Sequence, residues 1–344
     1  MPILTLKRWV SFISLLTLVL TGAILFGLLT GTERISLMET IQIIQHGIGT
    51  DDHSLGPKAI ILFQVRLPRV LMAGLVGAIL ALCGVVFQVL LRNPLADPFI
   101  LGISSGSALG VYLAMLLDLR IGLLGFAALP ISAFGGGLLA VWLVYQIARI
   151  DGRLPITGLL LAGVVVNAVF SSLILFISSL LDANRVMNIL IWTMGHIGSP
   201  EYKTIWVLLV YSLIGGALLF LFAKPLNLLA LGEESAKTLG VPVERLKRLL
   251  LILVTLLTGA AVSVSGIIGF IGIIAPHAVR MITGSDHRLL LPASALIGAA
   301  FLILADTLAR TIMGPVEVPV GILTSLCGGP IFLIMLRRKR GYGY

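Results

Sequence analysis

The chain has 344 residues, 58% of them hydrophobic and only 11% charged. Soluble domains carry about 25% charged residues, so this composition excludes a soluble globular protein and points to an all-α, polytopic membrane protein. The net charge is +9. A multispan protein gathers Lys and Arg in its cytoplasmic loops, which explains the excess without a nucleic-acid partner.

Apolar runs able to cross a bilayer fall at 10–30, 68–91, 99–117, 121–147, 156–181, 204–223, 248–267, 268–284, 289–309 and 320–336. The expectation is ten transmembrane helices with both termini on one side. With the N-terminus inside, 16 of the 24 Lys and Arg fall inside, including those of 337–340. The first run follows Lys7 and Arg8. It is too long for the apolar part of a signal peptide and reads as a spanning helix. The outer stretch after it holds a possible amphipathic segment, Ile35 to Ile44, and the charges Asp51 and Asp52.

Arg66, Pro68 and Arg69 precede the second run, with Pro68 expected at the helix start. The polar turn 93–98 closes that run. The third opens on Gly102, Ser104, Ser105 and Gly106, small residues that suit close helix packing or a path between helices. Cys83 and Cys327 lie in apolar runs without metal-ligand spacing and read as free packing thiols. Residues 185–197 form a short apolar helix candidate at the outer mouth, for gating or for anchoring by Trp192. Residues 248–284 are too few for two full helices and a turn. The second helix there is expected to be short, with Pro276 near its start and irregular backbone covered by protein or a cavity. Gly77, Ala78, Gly84 and Pro94 recur as Gly259, Ala260, Gly266 and Pro276. This is a candidate inverted repeat, or a coincidence in a Gly-rich chain.

Residues 224–248 form the longest cytoplasmic connection. Glu233 and Glu234 suit a first helical turn, Lys237 a last one and Gly240 the position just after; Pro242 then blocks continuation. Leu228, Leu229 and Leu231 ask for a partner surface, as a helix seated on a cytoplasmic motor would have. A solvated connector is the plainer alternative.

Two other classes compete. Gly102 to Gly106 satisfies G-x-S-x-G, the nucleophile pattern of hydrolases, but all five histidines fall in loops or at span ends. A secondary transporter needs an intramembrane ion site. The spans hold almost no acids, and Asp306 reads as the i,i+4 partner of Arg310. No phosphate-binding loop motif is present, so energy must come from a partner.

The motifs RLPR (66–69), NPLADP (93–98), LGISSGSALG (101–110), LALGEESAKTLGV (229–241), SGIIGFIGIIAPHAVR (265–280) and EVPVGILTSLCGGPIF (317–332) occur in this order. Together they resemble the FecCD/BtuC-like permease subunits of type II ATP-binding-cassette (ABC) importers, which take up iron–siderophores, haem and vitamin B12. The resemblance implies one permease domain over 1–344 in a bacterial or archaeal cytoplasmic (inner) membrane, with cytoplasmic termini. It implies no catalysis and no cofactor in this chain, with ATP used by two cytoplasmic ATPase subunits. It also implies a second permease copy (or a related permease), an extracytoplasmic solute-binding protein and a metal-chelate cargo. Residue by residue, Arg66, Arg69 and Arg310 match arginines that face outward and pair with acids of the binding protein. Gly232, Glu233, Glu234, Ala236, Leu239 and Gly240 match the helix coupled to the ATPase. Asn93 and Leu95 match an inner gate, and 186–197 the outer gating helix. A second gate falls on Ile156 and Thr157, where the apolar Ile156 after Pro155 departs from the family pattern.

Overall fold

The structure is a computed structural model describing residues 5–31, 33, 35–47, 56–119, 128–314 and 316–339. Asp51 and Asp52 lie outside them. Fifteen α-helices are present among the described residues: α1 (Leu6–Leu29), α2 (Leu37–Gly47), α3 (Pro57–Ile60), α4 (Leu67–Leu90), α5 (Ile103–Leu116), α6 (Ala128–Ala148), α7 (Ile156–Ser178), α8 (Ala183–Thr193), α9 (Tyr202–Leu221), α10 (Ala223–Ala230), α11 (Glu233–Thr238), α12 (Val243–Ser265), α13 (Ile271–Thr283), α14 (His287–Ala309) and α15 (Val320–Lys339). Seven are long and apolar enough to cross a membrane, and the shorter apolar helices α5, α13 and α15 complete the expected ten. The amphipathic outer segment is α2. A capping box opens it: the Ser36 N–H donates to Glu39 (2.8 Å) and the Glu39 N–H to Ser36 Oγ (3.2 Å).

Helix α4 is the buried axis of the bundle, packed against α14, α12 and α13. Small residues let the backbones meet. A Cβ at Gly77 would stand 2.2 Å from the Gly298 carbonyl oxygen of α14, and one at Gly84 would stand 2.0 Å from that of Gly272 in α13. The outer helices instead turn large apolar residues such as Leu161, Phe176 and Leu213 outward. A membrane protein can do this because lipid is as apolar as its core.

Pro68 stands second in α4, as expected of a helix start, although helical backbone already runs up to it from Pro57 through a π-helical turn, Ile61–Arg66. One expectation about a proline is corrected. Pro276 is the sixth residue of α13 rather than near its start. An interior proline removes one N–H and leaves a carbonyl without a helical partner, which apolar surroundings cannot satisfy. Here other helices supply the donor. In the π-turn register, Pro68 frees the Phe63 carbonyl, and the Tyr202 hydroxyl of α9 donates to it. Pro276 frees that of Gly272, taken by Gln88 Nε2 of α4 (3.1 Å), whose Oε1 accepts from Arg280 (2.7 Å). Pro292 of α14 frees that of Arg288, taken by Trp9 Nε1 of α1 (3.1 Å).

The suspected repeat is not matched in local structure. Gly84 lies inside α4, whereas Gly266 ends α12 at φ 66°; Pro94 stands in a turn and Pro276 within a helix. Both cysteines are free, Cys83 buried and Cys327 exposed.

Candidate functional site

At one end of the bundle, three connections converge. Residues 224–248 form two short helices, α10 and α11. Gly232 precedes α11 at φ 125°, a conformation open to glycine. Glu233 and Glu234 fill the first turn, and Ala236 is buried beneath it, while Leu239 stays exposed. Gly240 follows the helix at φ 83°. The two glutamates have different surroundings. Glu234 faces out and pairs with Lys237 (3.0 Å), which holds its carboxyl below the usual range, helped by Arg153 and Arg92. Glu233 turns in toward Lys247, a cation only 3% exposed.

Lys247 is the hub of this end, and sequence reasoning missed it. Its Nζ reaches Glu233 (3.2 Å) and Glu244 (3.2 Å), and donates to the Leu154 carbonyl (2.7 Å). Glu244 in turn accepts the Leu154 N–H (2.9 Å). Leu154 follows a tight turn at Asp151 and Gly152, both at positive φ, and directly precedes Pro155, Ile156 and Thr157 at the start of α7. A polar chain therefore runs from α11 through Lys247 to the first turn of α7. An adjoining link reaches the other expected gate. The Arg92 guanidinium lies beside Gly232, and Arg92 itself is held at φ 47°. Asn93 then accepts the Leu95 N–H (3.0 Å) in an Asx turn. Asp97 accepts the Phe99 N–H (2.9 Å). Burial pushes the Asp97 carboxyl up to about 6, against the pull of the Phe99 and Phe270 N–H groups.

The small-residue stretch is a packing seam. Gly102 turns the chain at φ 85°. Ser105 Oγ lies within hydrogen-bond distance of the Gly102 carbonyl (3.1 Å) and of Asn167 Oδ1 on α7 (2.6 Å), and its single proton can go to one of them at a time. A Cβ at Gly106 would stand 2.4 Å from the Gly136 carbonyl oxygen of α6. Ser104 is half-buried.

The opposite end carries α2, α8 and the three arginines. All three, Arg66, Arg69 and Arg310, are buried within the chain. Arg66 donates to the carbonyls of Leu28 (2.7 Å), Leu29 (3.2 Å) and Glu33, and Arg310 to that of Gly27. The last turn of α1 leaves the Gly27, Leu28 and Leu29 carbonyls without helical partners, and cations there also complement the helix dipole. Arg69 engages Asp306 through two nitrogens (2.9–3.1 Å) and Glu317 through the third (2.8 Å). Asp306 is thus the partner of Arg69 rather than of Arg310. The short outer helix is α8, capped by Asp182. The backbone after it is tied to α12 and α15 through His196 N–H to the Ser265 carbonyl (2.9 Å) and Gly321 N–H to the Gly195 carbonyl (3.2 Å).

A ten-span helical bundle, with short helices wired to loops at one end and a buried ionic rim at the other, defines a membrane permease. A profile of the FecCD transport family matches residues 16–338, and the chain belongs to that family. It is 45% identical over 278 residues to the hemin transport system permease of Yersinia pestis, covering 80% of this chain and 83% of that one. It is 43% identical over 281 residues to the cobalamin import system permease of Halobacterium salinarum, covering 81% and 74%. A solved inward-facing structure of a metal-chelate-type ABC transporter superposes with a TM-score of 0.80 at 32% identity, covering 96% of this chain and 99% of that one.

Proposed function

We propose that this chain is the membrane-spanning subunit of an importer that moves a metal chelate (iron–siderophore, haem or cobalamin) into the cytoplasm. The α11 end faces the cytoplasm, with both termini on that side. Two separate ATPase subunits bind there on 232–240, and two permease copies, or this chain and a related one, frame the path. The observation that carries the coupling is the buried Lys247, which joins α11 to the start of α7. Movement of α11 driven by the ATPase is passed to Ile156 and Thr157 directly, and to Asn93 and Leu95 through Arg92. A solute-binding protein docks at the opposite end, around Arg66, Arg69 and Arg310. Glu317, with a side chain 44% exposed, is the Arg69 partner that an incoming carboxylate can replace.

The test is transport of ferric hydroxamate, hemin and cobalamin into proteoliposomes holding the permease with its cognate ATPase and binding protein. ATP-dependent uptake of one cargo is expected, and uptake of none of the three would overturn the reading. Native mass spectrometry with elemental analysis of the binding protein names the cargo: iron with a chelator or porphyrin mass, or cobalt with a corrinoid mass.

A further inference from the structure

Helix α12 packs against both α6 and α9, and two cavities open along it. One, of about 420 Å³, lies toward the α8 end among Pro130, Thr204, Tyr211 and their neighbours, and no charged residue lines it. The other, of about 560 Å³, lies toward the α11 end between α6 and α12. Trp142, Ile252 and Leu256 line it with apolar surface, and Tyr145, Arg245 and Arg248 line it with polar groups. Trp142 is 55% exposed on the outside of the bundle, so the cavity opens sideways.

Among the described residues neither arginine has a carboxylate partner; Arg248 Nε only donates to the Glu244 carbonyl of its own helix (3.3 Å). Arg149, the residue just past α6, follows Tyr145 by one turn and donates its N–H to the Tyr145 carbonyl (3.1 Å), which adds a third cation beyond the same end. We propose that this groove binds an anionic phospholipid. An acyl chain lies along Trp142, Ile252 and Leu256, and the phosphate sits between Arg245 and Arg248 beside Tyr145. Charge selects this occupant. Basic pockets between spanning helices suit anionic headgroups, and an aromatic residue at that depth suits the interface.

The full-length protein can be tested in phosphatidylcholine vesicles containing rising fractions of dibrominated phosphatidylglycerol or dibrominated phosphatidylcholine. Bromine quenches tryptophan on contact, and Trp142→Phe isolates the contribution of Trp142 from the other three tryptophans. Half-quenching of Trp142 is expected at about fivefold less phosphatidylglycerol than phosphatidylcholine. In R245Q/R248Q the two lipids should quench alike, with the phosphatidylcholine curve unchanged as the check on folding; each single variant should lose part of the preference. Equal quenching by the two lipids in the wild type would overturn the proposal, leaving ordinary boundary lipid. So would a preference that survives R245Q/R248Q, or no Trp142 quenching by either lipid, which would put a protein partner in the groove.

Discussion

Arg69 is held by two carboxylates that lie far along the chain from it. Its side chain is 5% exposed, and that of Asp306 is 1% exposed. Removing one member of such a pair leaves a buried charge and typically costs about 3–5 kcal/mol. Arg69→Ala should therefore melt far below wild type, and charge reversal at Arg66 and Arg69 should abolish folding rather than weaken docking alone. Glu317→Ala is the informative variant, because it frees one Arg69 nitrogen and keeps Asp306 in place. Detergent melts together with binding-protein affinity separate the two effects. Asp97 gives a pH signature. Its folded value of about 6 lies above the ordinary 3.8. A raised carboxyl favours the folded state below its ordinary value, and that contribution is lost as the pH rises through 6. Asp97→Asn, which keeps an acceptor for the Phe99 N–H, should be more stable than wild type at about pH 8 and equal to it near pH 4. Melting curves across that range measure the difference.

At the scale of elements, the two glutamates of α11 should separate. Glu233→Gln weakens the link to Lys247 and is expected to uncouple ATP hydrolysis from uptake by about tenfold; Glu234→Gln touches only an exposed pair and should leave coupling near wild type. ATPase and uptake rates on one proteoliposome preparation decide it. Gln88→Leu should cost about 1–3 kcal/mol, since the Gly272 carbonyl and Arg280 both lose a buried partner. A lowered melting temperature with unchanged expression is the expected reading. The caps of α11 were legible because helix ends are local: acids, a lysine and a glycine at fixed spacing. The capping box of α2 is equally legible as S-x-x-E at 36–39.

Across the whole molecule, hydropathy alone located the ten spans, because a bilayer asks the same of every crossing. Depth and partnership were not legible. The helix of the third expected span starts at Ile103 rather than 99, because Pro98–Leu101 forms a 3-10 turn and Gly102 breaks the backbone direction. Lys247 sits in VERLKR, which reads as a solvated helix start; its burial depends on Leu154, 93 residues away. The Arg69 partner is 237 residues away. Spacing along one chain carries no signal for such pairs without covariation.

The proline-freed carbonyls also impose a schedule on biosynthesis. The ribosome makes Trp9 at the start, yet its acceptor on α14 comes 279 residues later. Gln88 similarly waits 184 residues for Gly272, and the Phe63 carbonyl waits 139 for Tyr202. Spans leaving the translocon one by one thus enter lipid with polar gaps that only later spans close, first at α9, then at α13, last at α14. A nascent chain halted after α12 would keep the donors of Trp9 and Gln88 open, since their acceptors lie on α14 and α13.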